Sequence, residues 1–91
     1  MISQHIVVHG KVQGVGFRAT AQLKAKSYGL NGWVKNTNDG NVEMVVEGPE
    51  EDVEAFKSVI MEGLNPFAKV SKLEVIDQLE VSRFDDFQIK Y

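Results

Sequence analysis

The stretch Gly10-Lys11-Val12-Gln13-Gly14-Val15-Gly16-Phe17-Arg18 carries three glycines and one arginine, and no carboxylate, imidazole or thiol. The chemistry open to it is binding, by backbone N–H groups and a guanidinium. Gly14 and Gly16 accept positive φ without steric cost, so consecutive N–H groups can turn to one side. A helix that starts near Phe17 adds N–H groups without carbonyl partners and a dipole that favours negative charge. Together they form a nest for a phosphate-sized oxyanion. Arg18, in the first turn, can fork its guanidinium onto two oxygens of that guest. On spacing alone a plainer reading has equal weight: a glycine-rich turn before an amphipathic helix, with Arg18 a solvated surface charge.

Gly14 to Ala19 also fits the G-x-G-x-x-A dinucleotide fingerprint, which needs a doubly wound parallel sheet and an acidic residue about 20 positions on. The positions in question hold Asn36, Thr37 and Asn38 before Asp39, and 91 residues are too few for that fold. The dinucleotide reading is rejected.

The elements that must position the loop follow from periodicity. Residues 4–9 are β-prone, with Ile6 and Val8 alternating with His5, Val7 and His9. Phe17, Ala21, Ala25 and Tyr28 keep helical spacing, and Gly29 supplies a stop. Residues 30–36 read as a second strand, and Asn38-Asp39-Gly40 as a tight turn into a third over 41–47. In that third strand Val42, Met44 and Val46 share one face, with Glu43 and Glu47 expected on the opposite, solvent face. Pro49 and the acids after it suit a helix N-terminus, and Val53, Phe56, Ile60 and Leu64 form its buried stripe. Val70 to Ile76 reads as a fourth strand and residues 87–91 as a short terminal one. The order βαββαβ with an extra strand predicts an α+β, ferredoxin-like sandwich: a mostly antiparallel sheet with two helices on one face. In that topology the first and second strands are parallel with the third between them. The loop at 12–18 and the end of the second strand at Asn36 then share one sheet edge.

Composition bounds the rest. Ninety-one residues make one domain, 1–91, and 43% hydrophobic with 25% charged residues are ordinary globular values. The absence of cysteine excludes a disulfide scaffold, a thiolate metal site and a cysteine nucleophile. The first residues lack the pattern of a signal peptide and no stretch is long and apolar enough to span a bilayer, so a cytoplasmic location is expected. A net charge of −3 argues against general attraction to nucleic acid or anionic membrane. A monomer suffices for everything read here.

Residues 10–18 and 32–48 resemble the two signature segments of acylphosphatases. The first fits Gly-x-Val-Gln-Gly-Val-x-Phe-Arg at every specified position. The second fits in Gly32, Trp33, Val34, Lys35 and Asn36, then Gly40, Val42 and Gly48. The likeness extends along the whole chain to the terminal DFQIKY. The resemblance implies a ferredoxin-like fold and metal-free, cofactor-free hydrolysis of the carboxyl–phosphate anhydride of small acyl phosphates. It makes Arg18 the phosphate-binding arginine, the loop Gln13, Gly14, Val15, Gly16, Phe17 and Arg18 the cradle, and Asn36 the residue that orients the attacking water. Such chemistry explains the missing acid and base. A carboxylate with a pKa of roughly 4–5 leaves without protonation, and a loose transition state asks mainly for positioning and charge stabilisation. An amide can accept from water and donate from one fixed pose.

Other residues have plainer roles. Thr37 is an auxiliary candidate better read as a turn hydroxyl, and Asn36 itself ends a strand where asparagine is common. His5 and His9 are expected as surface residues on the open sheet face, and Trp33 as packing. The competing functional class is a non-catalytic acyl-phosphate or phosphate-binding module on the same fold, since fold does not fix function. Asn36 separates the two, because a sensor has no use for a water-orienting amide. RNA binding is disfavoured by acidic strands that lack the needed aromatics.

Overall fold

Ile6 and Val8, the alternating pair of the first strand, are wholly buried in the computed structural model, which describes residues 1–91. They belong to β1 (Ile2–Lys11), followed by α1 (Phe17–Ser27), β2 (Asn31–Asn36), β3 (Val42–Gly48), α2 (Glu50–Met61), β4 (Lys69–Leu79) and β5 (Phe87–Lys90). The five strands form one sheet in the order β4-β1-β3-β2-β5. β1 and β2 each run antiparallel to β3, β4 is antiparallel to β1, and β5 is parallel to β2. β1 and β2 are therefore parallel with β3 between them, the relation that brings residues 12–18 and Asn36 to one edge.

The helices cover one face of the sheet with the residues their periodicity marked. Phe17, Ala21 and Ala25 of α1 and Val53, Phe56 and Ile60 of α2 are buried against Val34, Val42, Met44, Val46 and Phe87. Phe56 meets Tyr28 and Phe87 edge-on, with ring centroids 6.5 and 6.3 Å apart. Each large apolar side chain buried in this way contributes about 1.5–3 kcal/mol. Leu64 lies beyond the end of α2 but still packs on the core. Gly32 allows β2 and β3 to close up, since a Cβ there would sit 1.9 Å from the Val45 carbonyl oxygen. Strand β5 is held at the edge by Gln22, which donates to Phe87 O at 2.9 Å, and by the Gly32 N–H, which donates to Asp86 O at 2.9 Å.

Two further features differ from the sequence expectation. Strand β4 runs on to Leu79, past Ile76, and its far half is exposed on both faces. With neither face covered, Asp77-Gln78-Leu79 carries no alternation to mark it. Glu47 does lie on the face away from the helices, but it is 1% exposed rather than solvated. The segment after β4 crosses over it, and the N–H groups of Ser82 and Phe84 donate to its carboxylate at 2.7 and 3.1 Å. A buried carboxylate needs such donors, and here the backbone supplies them. Glu43, by contrast, stays partly open beside His5 and Lys35.

Candidate active site

Gly14 and Gly16 both have φ of 74°, the left-handed conformation in which only glycine is at ease. Gly16 is the N-cap of α1 and offers no side-chain cap. The first helical bond runs from Thr20 N–H to Gly16 O at 3.1 Å, so the N–H groups of Phe17, Arg18 and Ala19 have no helical acceptor. The first turn of α1 contains no acidic residue, whereas α2 opens with Glu50, Glu51 and Asp52. The dipole of α2 is met by its own carboxylates, and that of α1 is left for something outside the chain.

Phe17, Arg18 and Ala19 border a cleft of about 170 Å³. Val12, Gly14, Gly16, Phe17, Arg18 and Ala19 line it together with Asn36, Ile89 and Tyr91. Sites that enclose drug-sized ligands measure roughly 300–1,000 Å³, so this cleft suits a smaller guest. No aspartate or glutamate side chain lines it, although the chain as a whole is acidic. Arg18 is half-buried, its Nη1 donating to Lys90 O at 3.3 Å and its guanidinium carbon 4.7 Å from the Tyr91 ring centroid. β5 thus supports the arginine from behind, a role that its few residues did not announce. Asn36 Oδ1 is buried and has no hydrogen-bond partner in the protein. An unpartnered buried acceptor costs about 1–3 kcal/mol and marks a place where a donor from outside is welcome.

The remaining loop residues are structural in their side chains. Gln13 Nε2 donates to Thr37 O at 2.8 Å and Asn41 O at 2.6 Å, tying the loop to the β2–β3 turn. Thr37 closes that turn: its hydroxyl donates to Asp39 and accepts from Asn41 N–H at 3.1 Å, and its own N–H donates to Asn41 O at 2.9 Å. The hydrogen bond from Thr37 holds the Asp39 carboxyl below its usual range. Neither Gln13 nor Thr37 lines the cleft. Val15 points inward and packs on the core.

The histidines stand on the outer face of the sheet. His5 Nε2 donates to Glu43 at 2.7 Å and His9 Nε2 to Glu74 at 2.6 Å. The bond from His9, with Lys72 nearby, lowers the Glu74 carboxyl. Trp33 packs on the same face under Lys90, whose Nζ is 4.5 Å from the ring centroid. No group of three or more His, Cys, Asp or Glu side chains is placed to hold a metal ion. Asn65 was missed by the sequence reading: its Nδ2 donates to Val15 O at 3.0 Å from 50 residues away.

The family model for acylphosphatase matches residues 4–89. An acylphosphatase of Bacillus licheniformis is 43% identical over 91 residues, covering all of both chains. One of Cupriavidus metallidurans is 49% identical over 82 residues, covering 90% of this chain and 84% of its own. The crystal structure of the Bacillus subtilis acylphosphatase superposes with a TM-score of 0.94 at 40% identity, over the full length of both chains.

Proposed function

The chain belongs to the acylphosphatase family and is an acylphosphatase hydrolase, and from that premise we propose that it hydrolyses small acyl phosphates to carboxylate and inorganic phosphate without a metal. One observation carries the reading: Asn36, whose Oδ1 is buried without a partner in the protein, lines the same cleft as Arg18 and the N-terminus of α1. An anion-binding module would need the arginine and the amides alone.

In this reading the phosphoryl oxygens sit in the amides of residues 13–18 and in the fork of Arg18. Asn36 accepts a hydrogen bond from a water and aims its oxygen at phosphorus, opposite the acyl oxygen. The new P–O bond forms as the bond to the acyl oxygen breaks. The acyl group leaves as a carboxylate, and the proton of the attacking water passes to solvent or to the product phosphate. No acid is needed, because the leaving carboxylate is stable unprotonated near neutral pH. Catalysis comes from placing water in line and from fixed dipoles around the spreading negative charge. Thr37 contributes by fixing the turn beside Asn36, and Gln13 by joining that turn to the cradle. The acyl end projects past Ile89 and Tyr91 toward solvent, and the chain works as a monomer in the cytoplasm.

The test is hydrolysis of acetyl phosphate in excess chelator, with a simple phosphate monoester as control. Release of phosphate from the anhydride alone, unchanged by chelation, is expected. Activity that vanishes with EDTA and returns with magnesium or zinc overturns the reading, as does equal hydrolysis of the monoester.

A further inference from the structure

Asn65 lies in the connection between α2 and β4, outside the cleft, and spends both ends of its amide. Its Oδ1 accepts from the N–H groups of Phe67 and Ala68, each at 3.0 Å, which folds the Asn65-Pro66-Phe67-Ala68 turn back on itself. Its Nδ2 donates to Val15 O at 3.0 Å and lies 3.4 Å from Thr20 Oγ1. Thr20 Oγ1 in turn donates to Gly16 O at 2.9 Å.

These contacts fall on the two peptide units that flank Gly16. Every peptide bond in the chain is trans, so the C=O and N–H of one unit point in opposite directions. Val15 O shares a plane with the Gly16 N–H, and Gly16 O with the Phe17 N–H. Drawing the two carbonyls toward Asn65 and Thr20, away from the cleft, turns the two N–H groups back into it. Gly14 and Gly16 have little intrinsic preference to hold that geometry, because glycine is the least restricted residue. The helical bond from the Thr20 N–H to Gly16 O helps to hold the Gly16–Phe17 unit, so the Val15–Gly16 unit is the one that needs a hold from outside the loop.

We infer that Asn65 is a positioning residue for the anion cradle: it acts through Val15 O and Thr20 to aim the Gly16 and Phe17 N–H groups at the bound phosphoryl group. The inference rests on the functional reading above and adds the part that keeps a glycine loop ready for its anion. Preorganised donors bind without an ordering cost at the moment of binding.

The test separates the two ends of the amide. In Asn65→Ser the hydroxyl can still accept from the Phe67 and Ala68 N–H groups, as serine does in turns, but it is too short to reach Val15 O. Its melting temperature should stay close to wild type. The dissociation constant for inorganic phosphate should rise roughly 5-fold, the factor for one ordinary hydrogen bond, and KM for acetyl phosphate should rise with it while kcat changes less. The Gly16 amide resonance, which phosphate should shift in the wild type, should respond less in the variant. A role confined to the turn, which serine preserves, would leave the phosphate constant of Asn65→Ser at the wild-type value, and that result would overturn the inference. If Asn65→Ser does not fold, Asn65→Asp decides, since it keeps the acceptor and loses both N–H donors. It is compared with wild type in 1 M salt, where the Debye length of about 3 Å screens the added charge. Wild-type phosphate affinity in the folded variant overturns the inference alone. A wild-type protein that neither binds phosphate nor hydrolyses acetyl phosphate overturns the functional reading, and the inference with it.

Discussion

Gln13 Nε2 lies 2.8 Å from the carbonyl oxygen of Thr37, a hydrogen bond that spans 24 residues and joins the β1–α1 loop to the neighbour of Asn36. The same amide donates to Asn41 O at 2.6 Å. The two halves of the site come from different βα and ββ connections, and this side chain fixes the distance between them. Two such bonds stabilise by about 2 kcal/mol in total. Gln13→Ala should lower stability by that order and reduce kcat/KM by about 10- to 100-fold, the scale of a small misplacement of catalytic groups. Gln13→Glu should be worse, because it sets a carboxylate against two carbonyl oxygens. Urea unfolding and steady-state kinetics on both variants check this; normal kinetics in Gln13→Glu would remove the tether from the account.

Arg18 touches the rest of the protein only lightly, through Lys90 O and the Tyr91 ring. Arg18→Ala should therefore change stability by less than about 1 kcal/mol. Its kcat/KM should fall by about 2–5 kcal/mol, as for losing one partner of a desolvated charge pair. Lysine should rescue poorly, since a point charge cannot make the fork. Near-normal activity in Arg18→Lys would contradict bidentate binding.

How far the sequence alone reaches can be read from single residues. Ile6, Ala21, Met44 and Phe56 were marked by local periodicity, and all are fully buried. Local period reports which face of an element is covered, and the helices cover one sheet face nearly throughout. Glu47 shows the limit. Its strand alternation gave the correct face, but nothing local told that residues 80–84 would cross that face and bury the carboxylate. Gln13 and Asn65 show the same limit at the site. Their types and positions were visible, yet their partners lie 24 to 50 residues away, and only the assembled sheet brings them within 3 Å. The proximity of Asn36 to the loop was legible for the opposite reason: it follows from strand order, which the element sequence dictates.

Asp39 ties a stability effect to pH. Its carboxyl is lowered from an ordinary 3.8, chiefly by the hydrogen bond from Thr37. A depressed acid contributes stability that is present above its unfolded value and lost as pH falls through the folded one. The contribution should thus be constant from pH 5 to 8 and fade below 3.8. Asp39→Asn should melt below wild type by a constant interval across the upper range, and the two curves should converge in acid. Melting curves from pH 8 to 2.5 provide the check. A gap that persists unchanged at the acid end would mean that the ionised carboxylate is not what the Thr37 hydroxyl holds.

Asn36 allows binding and chemistry to be taken apart. Its Oδ1 is buried without a partner in the protein, so Asn36→Ala removes an unsatisfied acceptor and breaks no hydrogen bond of that oxygen. Most substitutions at a partly buried polar site destabilise; this one should leave the melting temperature unchanged or raise it slightly. Arg18 and the amides of α1 remain to hold the anion, so the inhibition constant of inorganic phosphate should stay within a few-fold of wild type. The kcat should nevertheless fall by roughly 10²–10³, the scale for losing one hydrogen-bond partner of the transition state. Asn36→Asp could still accept from water, but it would set a negative charge beside the phosphoryl group, and activity should not return. The decisive experiment pairs the phosphate inhibition constant with kcat on the same folded variant. If phosphate binding collapses while kcat at saturation stays normal, Asn36 belongs to the cradle and another group places the water. If both stay normal, catalysis does not occur in this cleft.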